Sequence, residues 1–95
     1  MESELPPHLP TCDPRERLFP LEWKESFFRR HFDESRGGYV CPDCGMVFFG
    51  AAGLGQLEGD HIVPFSKGGL TVWGNLVLRC KLCNIAKSDS DVNTG

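Results

Sequence analysis

No apolar run in this chain approaches the ~18 residues needed to span a bilayer, so the sequence offers no membrane-crossing helix. Positive charge is also scarce. Ten Lys and Arg stand against 13 Asp and Glu, giving a net charge of −3 and a pI near 5.5. That balance argues against a protein that wraps nucleic acid by charge alone, and leaves room only for a local basic face. The start, Met1-Glu2-Ser3-Glu4-Leu5-Pro6-Pro7, lacks the basic and apolar stretches of a secretory signal, so a reducing, cytoplasmic location is expected. Length is limited as well: 95 residues allow one small domain. A chain of this size buries about 60–65% of its unfolded surface, and is marginal without a metal, disulfides or a partner.

Cysteine is what the chain has in unusual pattern. Four of its five cysteines form two Cys-x-x-Cys pairs, Cys41/Cys44 and Cys80/Cys83. Two intervening residues let both sulfurs of a pair reach one ion from a single turn. Two such pairs in a reducing compartment therefore predict a tetrahedral structural Zn²⁺ with every ligand position filled by protein. A redox role would call for one such pair on a thioredoxin-like βαβ unit, not two far apart. Cys12 lies outside the pattern and reads as a bystander thiol. In a domain this small, zinc binding and folding should be linked.

Residues 1–12, with Pro6, Pro7 and Pro10, read as an irregular arm. Asp13-Pro14-Arg15-Glu16 has the capping residues of a helix start. Pro20 ends that turn or opens the next helix, which runs from Leu21 to Phe32. Its apolar positions are Leu21, Phe28 and Phe32, with Trp23 and Phe27 flanking. Lys24, Arg29, Arg30 and His31 on this segment read as a solvated face that could touch phosphate. Ser35-Arg36-Gly37-Gly38 stops the helix. Cys41 to Gly45 forms a tight knuckle, and Gly50 to Gly55 reads as a small-residue linker. Gln56 to Ile62 reads as a strand ended by Pro64, and Ser66-Lys67-Gly68-Gly69 as a turn. Asn75 to Arg79 reads as a second strand, and Asn84 to about Asp89 as a short helix capped by Asn84. The expected fold is α+β: a zinc-stapled ββα module at 39–90, an N-terminal arm and helical extension at 1–38, and a tail at 91–95.

Between the cysteine pairs stand Asp60-His61-Ile62-Val63-Pro64, Gly68-Gly69 and Asn75-Leu76, and the second pair continues into Asn84-x-x-Lys87. This ordered set resembles the HNH, or ββα-metal, endonucleases over about half the chain. Asn84 stands where many members carry a second histidine, so the chain resembles the His-Asn-Asn variant. The resemblance implies a metal-dependent endonuclease that hydrolyses DNA phosphodiester bonds. His61 would be the general base, since an imidazole pKa of about 6.5 accepts a proton at neutral pH. Asp60 and Asn84 would offer hard oxygens to a catalytic Mg²⁺ or Mn²⁺. Asn75 would hold the His61 ring in its working orientation, and Lys87, Lys67 and Arg79 are candidate DNA contacts. Glu58 shares the pleat face of Asp60.

Strict alternation sends Asp60 and His61 to opposite faces of a strand, so a shared site requires regular pairing to break at or just after His61. With one site and little extra recognition surface, a monomer that nicks duplex DNA with weak sequence preference is expected. The rival reading is a non-catalytic zinc module, held by the four paired cysteines, that binds nucleic acid or protein. It leaves Asp60, His61, Asn75 and Asn84 without a task.

Overall fold

The computed structural model describes residues 4–86. Within them a helix, two short antiparallel sheets and a closing helical turn pack around one aromatic core. Helix α1 (Leu21–Arg30) begins right after Pro20, whose fixed φ suits the entry to a first turn. The turn at Asp13 does not become a helix. Asp13 caps it through its side chain to Arg15 N–H at 2.9 Å. The carbonyls of Pro14 and Glu16, however, accept bonds from Thr71, 55 residues or more away along the chain, and are not free to continue a helical ladder.

The buried stripe of α1 is Trp23, Ser26 and Phe28, with Phe27 packed alongside, while Leu21 and Phe32 face solvent. The helix is thus rotated from the Leu21–Phe28–Phe32 register that apolar spacing suggested. The bulky rings decide it. Trp23 meets Trp73 edge-on at 6.2 Å, Phe27 meets both Trp73 and Tyr39, and the Trp23 indole N–H donates to the Pro10 carbonyl at 2.7 Å. Burying two indoles and several phenyl rings outweighs placing one leucine.

Strands β1 (Tyr39–Val40) and β2 (Val47–Phe48) form a hairpin whose tip carries Cys41 and Cys44. Gly45 adopts φ +77°, a region that side chains rarely enter, and closes the tip by donating to the Cys41 carbonyl at 2.9 Å. Residues Gly50–Gly55, read from sequence as a linker, form the short helix α2. Tertiary contact overrides the poor helix propensity of glycine. Gly53 is buried against Phe48, where a Cβ would sit 3.0 Å from the Phe48 backbone carbon.

Strands β3 (Leu57–His61) and β4 (Leu76–Cys80) pair antiparallel, Leu57 opposite Cys80 and His61 opposite Leu76. Leu57, Leu76, Leu78 and Cys80 are buried on one face. Leu78 is fully buried beneath α1 and the hairpin. Leu78→Ala is expected to cost about 2–5 kcal/mol in urea or thermal unfolding of the zinc-loaded protein. A 14-residue connection with two 3-10 turns, Phe65–Lys67 and Trp73–Asn75, joins the strands. Residues 81–86 then form a helical turn. Asn84 therefore lies within that turn, not at its cap. The fold is the small α+β arrangement of a zinc-bearing ββα module, with a helical extension packed on β4.

Candidate active site and metal centre

The hairpin tip and the end of β4 bring four thiols together. The sulfurs of Cys41, Cys44, Cys80 and Cys83 all lie within 4.8 Å of one another, and Cys44 Sγ and Cys80 Sγ are 3.8 Å apart. A tetrahedron with Zn–S of about 2.3 Å has edges of about 3.8 Å, so the donor set fits a zinc ion in both chemistry and spacing. Among the described residues no other group of three or more His, Cys, Asp or Glu side chains is close enough to hold a metal.

Burial alone would raise the Cys41 thiol, but the backbone N–H groups of Cys80, Cys44 and Asp43 outweigh it and bring its pKa down to about 7. A hydrogen bond with the Cys80 thiol, helped by burial, pushes Cys83 in the opposite direction. Cys41 is thus partly ionised at neutral pH, while Cys44 and Cys83 are pushed the other way and give up their protons when a cation takes the site. Cys12 stays apart, its thiol directed to the Thr71 carbonyl at 3.7 Å.

Arg79 ties this centre to β3. Its guanidinium donates to Asp43, inside the first Cys-x-x-Cys, at 2.6 Å and to Asp60 Oδ2 at 2.9 Å. All three side chains are partly exposed, so the bridge orients more than it stabilises. Arg79 is therefore engaged with two carboxylates.

β3 presents two faces. Glu58 and Asp60 project on the half-exposed face shared with Arg79, while Leu57 and His61 are buried on the other. Asn84, from the closing helical turn, donates to Glu58 Oε1 at 2.7 Å. Asn84 therefore stands beside the β3 carboxylate row. Asp60 Oδ1 accepts from the His61 backbone N–H at 2.8 Å. The His61 ring lies on the core side, 4.5 Å from the Phe19 ring and 5.4 Å from Phe65, with Nε2 2.8 Å from the Thr71 hydroxyl.

Regular pairing ends just after His61, and through that last paired residue Asp60 and His61 stay on opposite faces of β3. After His61 a last bond runs from Ile62 N–H to the Asn75 carbonyl at 2.9 Å, and the chain then bends at Ile62 and Val63. The Asn75 carboxamide fixes that bend: its oxygen accepts from Val63 N–H at 2.8 Å, and its nitrogen donates to the carbonyls of Val63 and Leu70. Gly69 is needed here, because a Cβ would collide with the Val63 carbonyl oxygen. Asn75 acts on the backbone that carries His61, and the described bond to the ring comes from Thr71.

Two contributions were hidden from sequence reasoning. Thr71 gave no signal, since a threonine in a turn has no metal or motif signature. Lys24 was visible only as one cation on a helix face. The structure puts it at a cleft of about 340 Å³ lined also by Leu18, Phe19, Glu58, Gly59 and Asn84. A side chain at Gly59 would meet the Lys24 stem at 3.3 Å. Lys67 lies exposed at the end of its 3-10 turn, and Lys87 falls outside the described residues.

A family model described as HNH endonuclease covers residues 41–90. No curated protein and no solved structure matches the chain.

Proposed function

The chain belongs to the HNH endonuclease family, and from that premise we propose that it is a divalent-metal-dependent, His-Asn-Asn variant nuclease that nicks duplex DNA with weak sequence preference. Residues 39–90 are the catalytic module, 1–38 the supporting extension and 91–95 a tail. The observation that carries the reading is the hydrogen bond between Asn84 and Glu58, two residues from Asp60 on the same pleat face. It gathers hard oxygen donors at the cleft edge, half-exposed and reachable by a hydrated ion.

Asp60 and Asn84, with Glu58 beside them, would hold a Mg²⁺ or Mn²⁺ ion. When bound, that ion would supply positive charge against the phosphoryl oxygens and the departing alkoxide. His61 removes a proton from the attacking water, whose oxygen forms the new bond to phosphorus as the P–O bond to the leaving sugar oxygen breaks. The departing oxygen takes a proton from solvent. Asn75 keeps the Ile62–Val63 bend that ends pairing beside His61, and Lys24 lends positive charge to the phosphate at the cleft. Cys41, Cys44, Cys80 and Cys83 would hold zinc, which would keep β4 and the closing turn against the hairpin and take no part in the chemistry.

The test is supercoiled plasmid incubated with the zinc-loaded protein and Mg²⁺ or Mn²⁺. Nicked circles should appear first, in a metal-dependent manner, from a monomer. Asp60→Ala and Asn84→Ala should each reduce the rate by at least about 100-fold, the scale for losing a group that stabilises transition-state charge. Titration with Mn²⁺ should show a binding event, distinct from zinc, that Asp60→Ala removes. Plasmid left supercoiled under every metal, with DNA merely bound, would favour a non-catalytic zinc module instead. Lys24→Ala should weaken cleavage about 10-fold at moderate salt and flatten its salt dependence.

A further inference from the structure

Thr71 is fully buried, yet it stands in a turn between two 3-10 segments and has no place in the metal centre. Its hydroxyl has one hydrogen, and that hydrogen goes to the Glu16 carbonyl, which can only accept. Toward His61 Nε2, 2.8 Å away, the same oxygen can then only accept. Nε2 must therefore be the protonated nitrogen of the neutral ring. From this chain of donors we infer that Thr71 is the positioning residue for His61, holding the imidazole as its Nε2–H tautomer and thereby making Nδ1 the proton-accepting nitrogen.

The surroundings make that arrangement rigid. Thr71 N–H donates to the Pro14 carbonyl at 2.8 Å, and the Cys12 thiol lies against the Thr71 carbonyl. Three contacts with residues 12–16 thus clamp one threonine. Phe19 and Phe65 flank the imidazole and restrict its rotation, and Arg17 stacks over the Phe65 ring with its guanidinium carbon 5.6 Å from the centroid. Turning the ring over would set a carbon against the Thr71 oxygen and leave a fully buried hydroxyl without its donor, a costly exchange in a dry site. The clamp is built from residues 12–19, all of which precede the stretch matched by the HNH model. The N-terminal extension therefore supplies part of the base's machinery, which residues 41–90 lack.

The consequence for cleavage rests on the nuclease reading; the tautomer does not. The experiment uses the full, zinc-loaded chain labelled with ¹⁵N. Long-range ¹H–¹⁵N correlation should show His61 Nε2 protonated and Nδ1 with the shift of an unprotonated ring nitrogen. Thr71→Val, which keeps the shape and removes the hydroxyl, should give mixed tautomers and lower the single-turnover plasmid-nicking rate about 10–100-fold, with little change in DNA affinity. Thr71→Ser should restore both tautomer and rate. A wild-type His61 protonated on Nδ1 overturns the inference, as does a Thr71→Val protein with unaltered tautomer and rate. If Thr71→Val fails to fold, the wild-type spectrum and the Thr71→Ser rate still decide it. A wild type that shows the Nε2–H ring but never cuts DNA overturns the nuclease reading and leaves the tautomer assignment standing.

Discussion

Stripped of zinc, the chain is expected to lose its cooperative fold. The four cysteines join the hairpin tip to the end of β4, with Cys44 and Cys80 standing 36 residues apart in sequence. Zinc at such sites contributes about 10–16 kcal/mol, comparable to the whole stability of a domain, about 5–15 kcal/mol. A strong chelator should therefore abolish the sharp thermal transition and the near-ultraviolet signal of Trp23 and Trp73, and readdition of zinc should restore both. Cys80→Ser should mimic the chelator, whereas Cys12→Ser should not. Direct metal analysis should find one zinc per chain.

Acid should do the same work as the chelator. The Cys41 thiol is held at about 7, below its ordinary value of 9. A group with a depressed folded-state pKa adds stability that is complete above its unfolded value and is lost as pH falls through the folded one. For Cys41 that window runs from about 9 down to about 7, and zinc occupancy extends the folded range lower by holding all four thiolates. Release of zinc to a coloured indicator should therefore increase steadily on acidification from neutral pH. Release that is independent of pH would contradict thiolate ligation.

The second large effect concerns His61. Replacement by alanine removes the proposed general base, a change expected to lower plasmid nicking about 10²–10⁴-fold. The zinc content should not change, because the cysteines lie on other turns. Stability should fall by a modest amount, since the Thr71 hydroxyl loses its donor and the Phe19 and Phe65 rings lose their neighbour. Rate and fold would then separate: a folded, zinc-loaded, DNA-binding protein that does not cut. His61→Ala that cleaves like wild type would remove His61 from the mechanism.

The sequence made legible those parts whose cause is local. Two Cys-x-x-Cys pairs must each curl around a point, and Pro20 and Gly45 carry backbone restrictions that act where they stand. β3 and β4 were readable as two strands, and the end of the first from Pro64. What could not be read depends on contacts made far along the chain. Apolar spacing put Leu21, Phe28 and Phe32 inward, and only the contacts of Trp23 and Phe27 with Trp73, Tyr39 and the Pro10 carbonyl turn α1 to its actual register. The glycines of α2 argue against a helix until Phe48 packs on Gly53. The support of His61 joins residue 16 to residue 71, and nothing in the turn around Thr71 announces it. Asn84 could be paired with Asp60 by resemblance, but its bond to Glu58 and the approach of Lys24 from α1 required the folded chain.

The most direct measurement is anomalous diffraction from crystals of the zinc-loaded protein soaked in Mn²⁺, with data collected at both metal edges. One zinc peak should lie among the four sulfurs, and a separate manganese peak should lie against the oxygens of Asp60 and Asn84, within reach of the Glu58 carboxylate. Manganese found only at the sulfurs, or nowhere on β3, would contradict a second, oxygen-bound cation and with it the chemistry assigned to this fold.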